Sequence, residues 1–180
     1  MMTFLELVNT RYSCRSYQHD KPVDRTVLDR CVEAARLAPS ACNSQPWKFY
    51  VVDDPAAKSA VAIKTLGPLG ALNAFAPQAP VMVVITAERP TLTAQIGGFL
   101  KNRPFYLMDI GIAAEHFCLQ AAQEGLGTCM IGWFDEPGVR KALRISGGSR
   151  IALVITVGYP APQEPRIKKR KSVDDMREYV

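Results

Sequence analysis

Residues 105 to 133 read FYLMDIGIAAEHFCLQAAQEGLGTCMIGW. From Phe105 to Glu124 the stretch is apolar almost all round at helical spacing, through Ile110, Ile112, Ala113, Phe117, Cys118, Leu119, Ala121 and Ala122. A helix that is apolar on every face is buried on several sides. In a chain of 180 residues few elements are available to bury it, so a partner subunit over one face is expected. Gly125 to Gly127 stops the helix, and Thr128 to Ile131 has the content of a short strand.

Working outward, Trp47 to Val52, the run Pro80 to Thr86 and Ile151 to Val157 read as further strands from their aromatic and β-branched content. Thr3 and Glu6 form a capping box for a short helix ending near Thr10. Asp24 caps a second helix with Val27, Leu28, Cys31, Val32 and Ala35 at helical spacing, which Pro39 brings to an end. Asp53-Asp54-Pro55 opens a third, and Asp135 or Glu136 before Pro137 opens a short one to about Leu143. Arg11 to Lys21 and Gly67 to Gln78 read as loops. Residues 88 to 104 show no period and contain Pro90, Gly97, Gly98 and Pro104, which marks a candidate mobile segment. From Pro160 the chain turns polar and proline-rich, an extended arm, with Asp174 to Val180 a terminal helix or strand. Strands alternating with helices and few hairpin signals give an α+β or α/β layered domain.

The length fits one domain over residues 1–180, and the balance of 48% hydrophobic and 22% charged residues is that of a globular protein. No apolar run is long enough to span a membrane, and the N-terminus lacks the basic and apolar regions of a signal peptide. The five scattered cysteines form no C-x-x-C pair, so reduced thiols, a cytoplasmic location and no metal site are expected. The net charge of +5 is concentrated in a C-terminal cluster rather than a stripe with interleaved aromatics, which argues against nucleic acid.

Three polar segments punctuate this frame. Arg11-Tyr12-Ser13-Cys14-Arg15 alternates basic and polar residues along an extended loop, so side chains two apart point the same way. Lys168-Lys169-Arg170-Lys171 does the same in the arm. On spacing alone, both fit solvated basic surface better than a site. Pro39-Ser40-Ala41-Cys42-Asn43-Ser44-Gln45-Pro46-Trp47 joins a helix to a strand, but that role does not explain its polar side chains around small residues.

These three segments, with Asp109 to Glu115 and Glu124 to Gly132, occur in an order that resembles the nitroreductase family of FMN-dependent oxidoreductases. The resemblance implies an α+β fold with a mostly antiparallel central sheet flanked by helices, and an intertwined homodimer with two FMN molecules at the interface. It implies that Arg11 binds the FMN phosphate and that Arg15 approaches the flavin ring near N1 and the C2 carbonyl, with Tyr12 and Ser13 between them. It brings Lys168 and Arg170 back to the phosphate. Pro39, Ser40, Ala41 and Asn43 come from the partner subunit, and backbone at Met130, Ile131, Gly132 and Trp133 lies against the ring and donates an N–H toward N5. Gly132-Trp133 stands where other relatives carry a glutamate. Flavin N5 carries the chemistry and no catalytic side chain is implied. Hydride passes from NAD(P)H to a nitroaromatic, quinone or other small acceptor. Relatives with other flavin chemistry, such as dehalogenation or dehydrogenation, and a flavin-binding regulatory protein are the alternatives. With no G-x-G-x-x-G after a strand, NAD(P)H is expected to visit the flavin transiently. Asn73 stays outside the assigned site, and His116 is expected to be a satisfied core or interface residue.

Overall fold

The computed structural model describes residues 2–67, 70–89, 103–162 and 168–180. Five α-helices and four β-strands lie among them. In chain order they are α1 (Phe4–Thr10), α2 (Arg25–Arg36), β1 (Trp47–Val52), α3 (Pro55–Ile63), β2 (Val81–Ala87), α4 (Phe105–Gln123), β3 (Gly127–Ile131), α5 (Glu136–Ala142) and β4 (Arg150–Gly158).

Local chemistry sets the helix starts. The Thr3 hydroxyl accepts from the Glu6 N–H while Glu6 reaches back to the Thr3 N–H, which closes the capping box of α1. Asp24, Asp54 and Asp135 cap α2, α3 and α5 by accepting one backbone N–H each, and prolines occupy the first turns of α3 and α5. α2 ends at Arg36, ahead of Pro39, and α4 ends beside Gly125, whose φ is +77°.

The four strands form one antiparallel sheet in the order β1-β2-β4-β3. β2 and β4 lie at its centre, and β2 is buried over nearly its whole length. Val81, Val83 and Ile85 enter one core with Leu28, Ala113, Phe117, Ile155 and Val157. Met82 and Val84 enter a second core with Val61, Val139, Ile151 and Val154. Helices α2 and α4 thus cover one face, and α3 and α5 the other. A strand covered on both faces carries a continuous apolar run, which is why the sequence of β2 shows no alternation. Phe117 is fully buried and its ring stacks on Phe49 with centroids 6.0 Å apart.

α4 buries Ile110, Ala113, Ala114, Phe117, Cys118 and Ala121 and leaves Met108 and Ile112 exposed, so within one chain one face of the helix stays uncovered. One expectation changes, that of a terminal helix or strand. Asp174 to Val180 forms neither helix nor strand. It makes a turn, with Ser172 and Asp175 bonding each other, because Val173, Met176 and Tyr179 are exposed and nothing is buried by folding further. His116 is half-buried, and its Nδ1 lies 2.9 Å from the Ile112 carbonyl, a partner within its own helix. Of the segment 88–104, residues 90–102 lie outside the described residues, as do residues 163–167 of the arm. Among the described residues no helix is long and apolar enough to cross a membrane, and no group of three His, Cys, Asp or Glu could hold a metal ion.

Candidate functional site

The basic N-terminal segment runs along the free edge of β3. Ser13 bridges Thr128 in parallel, and the Cys14 N–H donates to the Thr128 carbonyl at 2.8 Å. Farther on, Gln18 donates to the Tyr159 carbonyl at 2.9 Å and Ala161 to that of Ser16 at 3.0 Å. Backbone approaches closely here. A Cβ added to Gly127 would sit 2.7 Å from Cβ and Sγ of Cys14, so only glycine lets the segment lie this near the strand. Tyr17 locks it from beneath. Its buried hydroxyl lies 2.9 Å from the Cys14 carbonyl and 2.7 Å from Thr156 Oγ1. Burial first, then the neighbouring thiols, push the phenol pKa far up, with the Thr156 bond opposing.

This anchoring gives the basic side chains different surroundings. Arg11 Nε lies 3.1 Å from Glu115 Oε1 on α4, an ion pair without hydrogen-bond geometry. Lys168, from the far end of the chain, donates to the Val8 carbonyl at the end of α1, 2.5 Å away. Burial, followed by the nearby guanidiniums of Arg11 and Arg170, holds the Lys168 ammonium below the usual lysine range, while Glu115 pulls the other way. Lys168 therefore lies near Arg170 and near Arg11, which comes from the opposite end of the sequence. Arg15 faces elsewhere. Its guanidinium stands 5.9 Å from the centre of the Phe75 ring and acts, with Ser13, on the Cys129 thiol, which burial pushes up. Tyr12 packs on the second core.

At the end of β3, Met130 is 37% and Trp133 65% exposed, and Gly132 is exposed between them, while Ile131 is buried. A Cβ added to Gly132 would meet nothing within 4 Å, so the protein leaves bare backbone facing open space. Asn73 holds this edge from behind. Its amide donates to the Thr65 carbonyl at 2.8 Å and to that of Trp133 at 3.5 Å.

The loop after α2 is built differently. Pro39 precedes a single 3-10 turn, Ala41–Asn43, and Cys42, Asn43 and Gln45 have φ of 51°, 50° and 45°. Non-glycine residues in this region are strained. Asp109 of α4, 6% exposed, accepts from the Ala41 N–H at 3.1 Å, and the Ser40 hydroxyl accepts from the Gln45 N–H at 2.9 Å. Asp109 Oδ2 and Ser44 Oγ are buried without a hydrogen-bond partner among the described residues. The loop thus meets α4 at Asp109, six residues before Glu115, or roughly 9 Å along the helix axis. Within one chain the structure brings Lys168 near Arg11 and Arg170 and seats Ser13 and Arg15 along β3 at Thr128 and Cys129, while Pro39–Asn43 stands at another level of α4.

The sequence reading assigned no role to Tyr17, Thr156, Asp109 or Glu115. The last two carried a signal, being acids inside a helix that is otherwise apolar.

Arg11 and Lys168 near one carboxylate, with Arg170 two residues on, can hold a phosphate monoester, and bare backbone at a sheet edge admits a flat ring. These are the features of a protein that binds a phosphorylated planar cofactor. The model of the Nitroreductase family matches residues 8–159, and the chain belongs to that family. It is 24% identical over 200 residues to an oxygen-insensitive NADPH nitroreductase of Helicobacter pylori, covering 94% of this chain and 93% of that one. A nitroreductase family protein from Clostridium novyi has a similar structure, with a TM-score of 0.77 and 31% identity over 89% of this chain and 86% of that one. An FMN-dependent nitroreductase from Clostridium difficile superposes with a TM-score of 0.72 and 26% identity, covering 96% and 94%.

Proposed function

We propose that this chain is an NAD(P)H-dependent flavin oxidoreductase that binds FMN and passes hydride to a small acceptor such as a nitroaromatic or a quinone. FMN, when bound, supplies two-electron chemistry at a ring atom, so no catalytic side chain is needed. The protein's part is to hold, orient and tune. Arg11, Lys168 and Arg170 take the phosphate. Arg15 and Ser13 sit at the ring edge, where a cation stabilises negative charge on the reduced ring. Met130, Ile131, Gly132 and Trp133 present backbone to the ring, and NAD(P)H and the acceptor use the same open face in turn.

The observation that carries this reading is the approach of Lys168, from the far end of the chain, to Arg11 and to the end of α1. The chain acts as a single FMN-binding domain over residues 1–180, with an arm from about residue 160, and works as a homodimer. Support for the dimer comes from the exposed apolar residues Met108 and Ile112 on α4 and Phe4 and Leu5 on α1. In the dimer Pro39, Ser40, Ala41 and Asn43 cover the partner's flavin.

The test is direct. Protein incubated with FMN and freed of excess should be yellow, and anaerobic NADH or NADPH should bleach it. Protein that stays colourless refutes the reading. Size-exclusion with light scattering should find a dimer, and a monomer retaining stoichiometric flavin would contradict the shared site.

A further inference from the structure

Glu115 is one of two acids on α4, and it pairs with Arg11 where the C-terminal arm meets the N-terminal segment. Its Oε1 is 3.1 Å from Arg11 Nε, and Arg11, Arg170 and Glu115 all act on the Lys168 ammonium. Lys168 is fixed there by its bond to the Val8 carbonyl. Counting Arg170, which acts on Lys168, three cations stand against one carboxylate, leaving two in excess. A phosphate monoester carries roughly −1.5 to −2.

We propose that Glu115 is the counter-charge of the phosphate grip: it offsets the repulsion among Arg11, Lys168 and Arg170 when flavin is absent, and it repels the phosphate when flavin binds, so that it sets how strongly the protein prefers phosphorylated to unphosphorylated flavin. The inference rests on the flavin reading above. The contact between Glu115 and Arg11 lies on the Nε edge of the guanidinium, which leaves the two Nη groups for a ligand. The ion pair is therefore present with and without phosphate and cancels from the affinity. What does not cancel is repulsion between one carboxylate and one doubly charged phosphate. Glutamine keeps the shape and the acceptor oxygen while removing that charge.

The sign separates this role from a positioning one. If Glu115 acts mainly by aiming Arg11, its loss weakens FMN binding. If it acts as a counter-charge, its loss tightens binding. FMN and riboflavin affinities of the wild type and of Glu115→Gln are measured by flavin fluorescence at two salt concentrations, with inorganic phosphate as a competing probe. Glu115→Gln should bind FMN roughly 3- to 10-fold more tightly at low salt, with riboflavin changed by less than about twofold. Inorganic phosphate should compete better, and the salt dependence should steepen. Glu115→Ala, which is smaller and cannot bond Arg11, should shift in the same direction. In an Arg11→Ala background the gain should persist, because the repulsion does not pass through Arg11. Weaker or unchanged FMN binding by Glu115→Gln overturns the inference, as does a parallel shift of FMN and riboflavin, which would mark a change in the fold. A wild type that binds FMN no better than riboflavin removes the phosphate grip itself, a failure of the underlying reading that is seen without any variant.

Discussion

The segment Arg11–Tyr17 and the loop Ser40–Gln45 both serve the proposed flavin site, yet they are held in opposite ways. The first is ordinary extended backbone. It is fastened by bonds to both sides, to Thr128 on β3 and to the chain after β4, and by the Tyr17 hydroxyl beneath. The second has three non-glycine residues at positive φ and is tied to the fold through Asp109. Many weak backbone ties distribute a constraint, whereas a strained turn fixed by one buried carboxylate concentrates it. The loop should therefore be fragile to a single side-chain change, and the basic segment should not.

Asp109→Ala is the strongest test of that contrast. It leaves the Ala41 N–H without its acceptor and frees a strained loop, so a stability loss of about 2–3 kcal/mol is expected in urea unfolding. Asp109→Asn keeps an acceptor oxygen and should recover most of it. Ser13→Ala, on the basic segment, should cost less than about 0.5 kcal/mol. Equal losses at Asp109 and Ser13 would erase the distinction.

The basic segment should instead fail in binding. Arg11→Ala or Arg170→Ala should weaken FMN binding by about 1.5–3 kcal/mol each, the scale of hydrogen bonds to charged groups, with the unfolding midpoint nearly unchanged. Riboflavin, lacking the phosphate, should bind both variants as it binds the wild type. Parallel weakening of the two flavins would show that the arginines support the fold rather than the phosphate.

What the sequence made legible follows the same divide. The capping box of Thr3 and Glu6, the caps at Asp24 and Asp54, and β1 from Trp47 to Val52 depend on neighbours a few residues away, and each can be read from a short window. The resemblance placed both basic segments at one site, although spacing alone favoured solvated surface. The contact that supports Arg11 was not legible, because Glu115 lies far along the chain and only the packing of α1 and α4 brings it near. The strain at Cys42, Asn43 and Gln45 was also silent, since no glycine stands there to announce positive φ. The terminal residues misled for a different reason. Val173, Met176 and Tyr179 look like material for an element, but within the chain they meet no surface to bury against.

Lys168 offers a pH test of how tightly the arm joins the basic segment. Its ammonium is held below the usual lysine range by burial and by Arg11 and Arg170, with Glu115 opposing. A bound phosphate favours the charged form, so the pKa of Lys168 is higher with FMN than without. FMN affinity is then full below the flavin-free pKa and falls as pH rises through it, by up to about tenfold per pH unit until the flavin-bound value is reached. The fall should begin at lower pH than an ordinary lysine would give. Lys168→Arg, which stays charged, should flatten the profile. A profile unaltered by that change would detach Lys168 from the phosphate.

The smallest effect tests the backbone contrast itself. Cys42 has φ 51° and ψ 29° and an exposed side chain, so replacing it by glycine buries nothing less and relieves a conformation that costs an L-residue about 1 kcal/mol. Glycine also loses more freedom on folding, about 0.5–1 kcal/mol, so Cys42→Gly should be neutral or stabilising by a few tenths of a kcal/mol. Ser13 is in extended backbone paired with Thr128, where glycine relieves nothing and pays the full entropic cost. Ser13→Gly should therefore destabilise by about 0.5–1 kcal/mol. Urea midpoints at a shared slope resolve the two, because the quantity sought is the difference between them rather than either alone. Destabilisation of similar size at both positions would mean that the turn at Cys42 carries no strain to relieve. The loop would then be held by its fit to α4 and not by Asp109 against its own backbone.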